Sequence, residues 1–247
     1  MPLVFALVFS CALLAAPVVG QEKVDLAKLA VQLKDKDFTV RQSAIEVLGQ
    51  LKDSPAAVDL IISSLDDDNP EVRSRAALAL GEMGAVKSID RLARILQSES
   101  LRDRRSAIIA LGTIGGEKAC EALIPILKSP SAEERDSTAA ALGEARCVRA
   151  LDPLIKALSD DRYNVRASAA LALGDLGDKR AVEALIGRLN DDAESVRTGV
   201  VFSLGALGDR RAIEPLEKLL KTEKKEDVRQ QIDSALQRLR AVRPDKE

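Results

Sequence analysis

Seven arginines recur at positions 41, 73, 104, 135, 166, 197 and 229, separated by 32, 31, 31, 31, 31 and 32 residues. A row of guanidiniums at fixed spacing can bind anionic groups or tie a structure together. Acids accompany the row: Asp35, Asp67, Asp160 and Asp191 stand six positions before an arginine, with Ser98, Ser129 and Glu223 there in the other units. A carboxylate at that place is expected to cap the backbone N–H groups of a turn and to meet a guanidinium. Arg41, Arg73, Arg104, Arg135, Arg166, Arg197 and Arg229 therefore read as a structural ladder rather than a ligand site. The acidic runs at 66–68 and 191–192 lack the alternating ligands and the glycine of a calcium loop, and read as solvated turns.

The chain contains no His and no Trp among its 247 residues. That removes Ser-His and Cys-His nucleophiles, His-ligated zinc or iron, and His general acid–base work. Lys and Arg number 37 against 39 Asp and Glu, and aromatics are 2%. A balanced, aromatic-poor surface gives no reason to expect a nucleic-acid partner. The expectation is a protein with no metal, no cofactor and no catalytic residue.

The elements carrying the arginines read as helices. Each unit holds a first helix, typified by residues 180–189, then a polar turn and a second helix, typified by residues 165–176. Apolar residues recur at helical spacing in both. Gly84, Gly115, Gly177 and Gly208 follow the second helix, where a positive φ stops it. Unit four has Arg146 in place of that glycine and Cys147 in place of the following Asp, so its junction is expected to be distorted or loose. One helix pair cannot bury its apolar side alone, and stacked pairs share a continuous core.

The repeating unit resembles the HEAT repeat, in its short phycobilisome-lyase-like (PBS lyase) form. Asp160, Val165, Arg166, Ala169, Ala170, Leu173, Gly174, Leu176, Gly177 and Asp178 carry the resemblance, which extends over roughly residues 24–241. It implies an all-α fold, a right-handed superhelix of about seven helix pairs with the second helices lining the inner surface. Such arrays usually bind proteins. Two enzyme groups share the repeat: chromophore lyases that attach bilins, and iron hydroxylases with His-Glu ligands. This chain lacks the His of the second group. It offers no identifiable catalytic residue to carry over from the first, which leaves a lyase-like or accessory role as the alternative to a scaffold.

Counting each ladder arginine as position zero, core positions at −1, +3, +7 and +10 cluster on one side of the second helix, and +5 points nearly opposite. The end units carry Glu46 and Ser234 at +5, whereas the middle units carry Leu78, Ile109, Ala140, Leu171 and Phe202. Glu82, Glu144 and Asp175 flank them at +9. An apolar row edged by acids reads as a groove for a protein or peptide that is apolar or amphipathic with some basic residues. At +4 the first six units have small or apolar residues and the seventh has Asp233, an expected end to the stacking.

Residues 2–20 are uncharged and almost wholly apolar, and polar sequence begins at Gln21. This reads as a signal peptide over residues 1–20, cleaved before Gln21, and hence as an exported chain. An uncleaved membrane anchor, which would make the protein a membrane-tethered assembly factor, and a lipoprotein signal at Cys11 are the other readings. The array occupies residues 21–241, and residues 242–247 form a frayed tail. Cys120 and Cys147 are expected to be two small buried side chains, a pair in an oxidising compartment being the alternative.

Overall fold

A computed structural model describes residues 24–241, which form fourteen α-helices in seven consecutive pairs. The pairs are α1 (Leu26–Gln32) with α2 (Phe38–Gly49), α3 (Pro55–Ser63) with α4 (Pro70–Glu82), and α5 (Ile89–Ile95) with α6 (Leu101–Ile114). Next come α7 (Gly116–Leu123) with α8 (Ala132–Glu144), and α9 (Leu151–Ala157) with α10 (Tyr163–Leu176). The last two are α11 (Val182–Ile186) with α12 (Glu194–Leu207), and α13 (Ile213–Thr222) with α14 (Glu226–Ala241). No strand occurs among the described residues. The signal-peptide reading and the C-terminal tail fall outside them.

The arginine column lies on the even-numbered helices, one per pair. Positions +3 and +7 are buried in all seven, from Ala44 and Leu48 to Ile232 and Leu236. Position +4 is buried in six units, and Asp233 is exposed in the seventh. Local chemistry starts these helices. The side chains of Asp37, Asn69, Ser100 and Ser131 accept backbone N–H groups of the first turns of α2, α4, α6 and α8. Before α10 and α12 the cap residues are Arg162 and Ala193, whose own N–H groups are held by Asp160 and Asp191 at 3.0 Å.

Gly84, Gly115, Gly177 and Gly208 take φ of 60°, 66°, 70° and 65°. Arg146 takes the same turn at φ 47°. Contrary to expectation, that junction is not distorted. Arg146 N–H donates to the Gly143 carbonyl at 2.9 Å and Cys147 N–H to Leu142 at 3.0 Å. The glycine-bearing turn at Gly84 makes the equivalent bonds at 2.8 and 3.0 Å. The unit keeps its shape and carries the steric cost of a side chain there.

The cysteine expectation is also corrected. Cys120 on α7 and Cys147 after α8 form a disulfide, with Cα atoms 5.9 Å apart. Cys147 stands where Asp178 and Asp209 cap the next turn in later units, accepting the N–H groups of Arg180 and Arg211 at 2.9 and 3.0 Å. At this one junction a covalent tie replaces a carboxylate cap.

Consecutive second helices pack along their length, whereas consecutive first helices touch much less. Small residues make this possible. A Cβ added at Gly112 would lie 2.6 Å from the Ala141 side chain, and one at Gly143 would lie 2.7 Å from Ala172 Cα. Gly81, Gly174 and Gly205 meet Ala110, Ser203 and Ala235 in the same way. The tightly spaced layer is the inner one, so the second helices line the concave side.

Candidate partner-binding surface

The arginine ladder runs between repeats, not within them. Arg166 donates from Nε and Nη2 to both carboxylate oxygens of Asp191 in the next unit, at 2.9 and 2.7 Å, and from Nη2 to Asp192 at 2.7 Å. Its Nη1 donates to the carbonyl of Asp160, six residues earlier, at 3.1 Å. Arg41 with Asp67, Arg135 with Asp160 and Arg197 with Glu223 repeat the pattern. Asp67, Asp160, Asp191 and Glu223 at position −6 thus cap their own turns as expected, and the guanidinium each meets comes from the preceding repeat. The reason is geometric: the arginine's own carbonyls at −6 and −5 occupy Nη1, leaving the rest of the fork aimed at the next turn.

Units three and four show how firmly this pairing is required. There Ser98 and Ser129 replace the acid, and Asp103 and Glu134 replace the valine at −1. Arg73 reaches Asp103 at 2.8 Å and Arg104 reaches Glu134 at 2.5 Å. Both acids are buried. Glu134 spans Arg104 and Ser129. The shorter Asp103 leaves Oδ1 without a hydrogen-bond partner, beside a cavity of about 560 Å³. Among the described residues Arg229, in the last unit, holds the carbonyls of Leu220 and Glu223 and the nearby Glu226.

These contacts set the titration. Burial pushes the Asp67, Asp160 and Asp191 carboxyls upward, but a guanidinium and a backbone N–H outweigh it and hold each below the usual carboxylate range. The Arg197 guanidinium does the same for Glu223. The ladder carboxylates whose pKa is held low are among those that hold repeats together. A second ladder crosses the outer helices, with Lys87 on Asp59 at 2.5 Å, Lys118 on Asp90 at 2.7 Å and Arg211 on Glu183 at 2.9 Å.

The +5 row lies on the concave side. Ile109, Ala140, Leu171 and Phe202 are exposed, and Leu78 is half-buried. Glu82, Glu144 and Asp175 are exposed beside them. The row is divided into cavities. Leu78 and Ile109 line one of about 420 Å³ with Leu101 and Arg105. Ala140 and Leu171 line another of about 400 Å³ with Glu144, Arg146 and Asp175. Leu171 and Phe202 line a third of about 600 Å³. Leu101 escaped the sequence reading, although its place three residues before the arginine column also holds the exposed Phe38 and Tyr163. Among the described residues no group of three or more His, Cys, Asp or Glu is placed to hold a metal, and no helix is long and apolar enough to cross a membrane.

Comparison with known proteins agrees with this architecture. The family described as HEAT repeats matches residues 26–112, 88–143, 120–200 and 151–237. The chain belongs to the HEAT-repeat family. Among particular proteins, the bilin biosynthesis protein MpeU of a Synechococcus species is 41% identical over 68 residues, covering 28% of this chain and 23% of MpeU. The matched stretch is therefore well under two thirds of that relative's length. Among solved structures, the CpcE–CpcF complex of phycocyanin lyase from a Nostoc species is similar with a TM-score of 0.57 at 22% identity, over 91% of this chain and 98% of that one. The Escherichia coli protein YibA gives a TM-score of 0.62 at 22% identity, over 88% of this chain and 82% of that one. The two solved structures agree with this chain in fold.

Proposed function

We propose that this protein is a non-catalytic scaffold that holds a segment of a protein partner against its concave face. The observation that carries this reading is the exposed row of Ile109, Leu171 and Phe202, with Leu78 behind it, on a surface where the repeat itself accepts Glu46 and Ser234. Packing within the array gives no reason for large apolar side chains there. Fully burying one is worth about 1.5–3 kcal/mol before association costs are subtracted. The absence of His and the structural use of the ladder carboxylates support a binding role over a chemical one. The test is capture of a partner from the native host by the wild type and by Leu171→Ser/Phe202→Ser. Capture is lost while the thermal midpoint holds. Retained capture by the folded variant places the site elsewhere, and an unfolded variant makes the row core.

The local identity with a bilin biosynthesis protein favours a second reading, an accessory to bilin attachment. A shift in bilin absorbance on mixing with the purified chain tests it. For location we propose export, with residues 1–20 removed. The uncharged apolar run and the polar onset at Gln21 support this. N-terminal sequencing of protein from the native host decides between cleavage and a retained anchor.

A further inference from the structure

The two glycines of α12 are there for different reasons. Gly205 is closely packed, because an added Cβ would lie 3.0 Å from the Ala235 side chain, which would have to give by a few tenths of an ångström. Gly199 is not. An added Cβ would lie 3.4 Å from the Ala167 carbonyl, 3.5 Å from Leu171 Cγ and 3.7 Å from Ala170 Cβ, which is ordinary contact. Its φ is helical, and the same position holds serine in four other units: Ser43, Ser106, Ser137 and Ser168. A glycine inside a helix weakens it, so its presence without a packing reason points to the space it leaves. That space is the cavity of about 600 Å³ between α10, α12 and α14, with Leu171 and Phe202 as apolar walls and Glu194 and Gln231 at its edge.

Leu171 also forms a wall of the neighbouring cavity, where the charge changes. Glu144 and Asp175 line that cavity together with Arg146. Neither acid is ion-paired among the described residues, and Glu144 receives only the Thr113 hydroxyl, at 3.2 Å. Two carboxylates against one guanidinium leave a net negative site one repeat from the apolar pocket, a separation of about 10 Å.

We propose that the Gly199 cavity is an anchor pocket for one bulky apolar side chain of the partner segment, and that Glu144 and Asp175 receive a Lys or Arg of the same segment about 10 Å away. This rests on the reading that the concave face holds a protein partner. The spacing corresponds to seven residues of a helix, about 10.5 Å, or to three residues of a polyproline II segment, about 9.3 Å, each of which returns the two side chains to one face.

Two fluorescein-labelled synthetic peptides test the pocket by anisotropy against the full chain. One is a helix-stabilised peptide with Phe and Lys seven residues apart, the other a non-helical peptide with Phe and Lys three apart, each with Phe→Ala and Lys→Glu controls. One of the two Phe/Lys peptides binds, and its controls bind at least ten-fold more weakly. Gly199→Ser, which restores the residue used by four other units, weakens that peptide at least ten-fold without lowering the melting temperature. Glu144→Gln/Asp175→Asn weakens it about three-fold and flattens its salt dependence. The pocket is overturned if Gly199→Ser binds like the wild type, or if neither peptide binds better than its Phe→Ala control. Loss of binding in Leu78→Ser/Ile109→Ser with none in Gly199→Ser moves the anchor to the other end of the row and leaves the concave reading standing. Binding indifferent to every variant removes both.

Discussion

Arg166→Ala removes a fully bonded rung of the ladder, equivalent to those of Arg41 and Arg135. Its guanidinium makes two bonds to Asp191, one to Asp192 and one to the Asp160 carbonyl, at 2.7–3.1 Å. The Asp192 contact is exposed and worth little. The Asp191 side chain is only 4% exposed, so without Arg166 a nearly buried carboxylate keeps just the Ala193 N–H. Stranding such a charge costs about 3 kcal/mol, between the loss of charge-assisted hydrogen bonds and the loss of a fully buried pair. Urea denaturation at pH 7 measures it. The sign with pH follows from the low carboxyl pKa of Asp191 in the folded state. Its stabilisation is fully present above the unfolded value, about 4, and is lost as the pH falls through the lower folded value. Wild type therefore weakens below about pH 4, and the gap to Arg166→Ala closes in the same range. A variant within about 0.5 kcal/mol of wild type at pH 7, the ordinary range for a surface change, would falsify the ladder's structural role.

Reducing the Cys120–Cys147 bond opens a loop of 27 residues. The chain-entropy relation puts the loss at about 3.5 kcal/mol, read as a lower urea midpoint with dithiothreitol, and an unchanged midpoint counts against the bond. Arg146→Gly relieves the left-handed turn and stabilises by about 0.5–1 kcal/mol in the same assay; destabilisation would mean that the arginine side chain supports the junction. Gly143→Ala drives a Cβ to 2.7 Å from Ala172 and destabilises by about 1–3 kcal/mol. Gly49→Ala meets Ala79 at an ordinary 3.5 Å and serves as its control. Equal effects from the two would show that the inner layer is not closely packed at Gly143.

The helix pairs, their turns and the concave row were legible because a 31-residue recurrence fixes which positions are equivalent. Once Arg41 and its counterparts are aligned, burial at +3 and +7 and exposure at +5 follow from helical geometry alone. The direction of the arginine pairing was not legible. Sequence proximity favours Asp160 for Arg166, but backbone carbonyls take that side of the guanidinium and Asp191 arrives from the next turn. The clue was present in units three and four, where acid vanishes from −6 and appears at −1 as Asp103 and Glu134. The disulfide was hidden for a related reason, since only stacking brings Cys120 and Cys147 together. The pocket at Gly199 needed the structure, because only an added Cβ distinguishes a glycine that packing requires from one it does not.

The contact between glycine and alanine on successive inner helices makes the array a ruler. Repeat spacing on the concave side is set where two of the smallest side chains meet, so little remains there to compress. The outer helices, held by exposed ion pairs such as Lys87 with Asp59, have room to spread or close. Changes on the outer face therefore bend the rod without altering the interval between Leu171 and Phe202. On the proposed reading, specificity for a partner's residue spacing is built into this inner layer, and the rest of the surface can drift in sequence without recalibrating it.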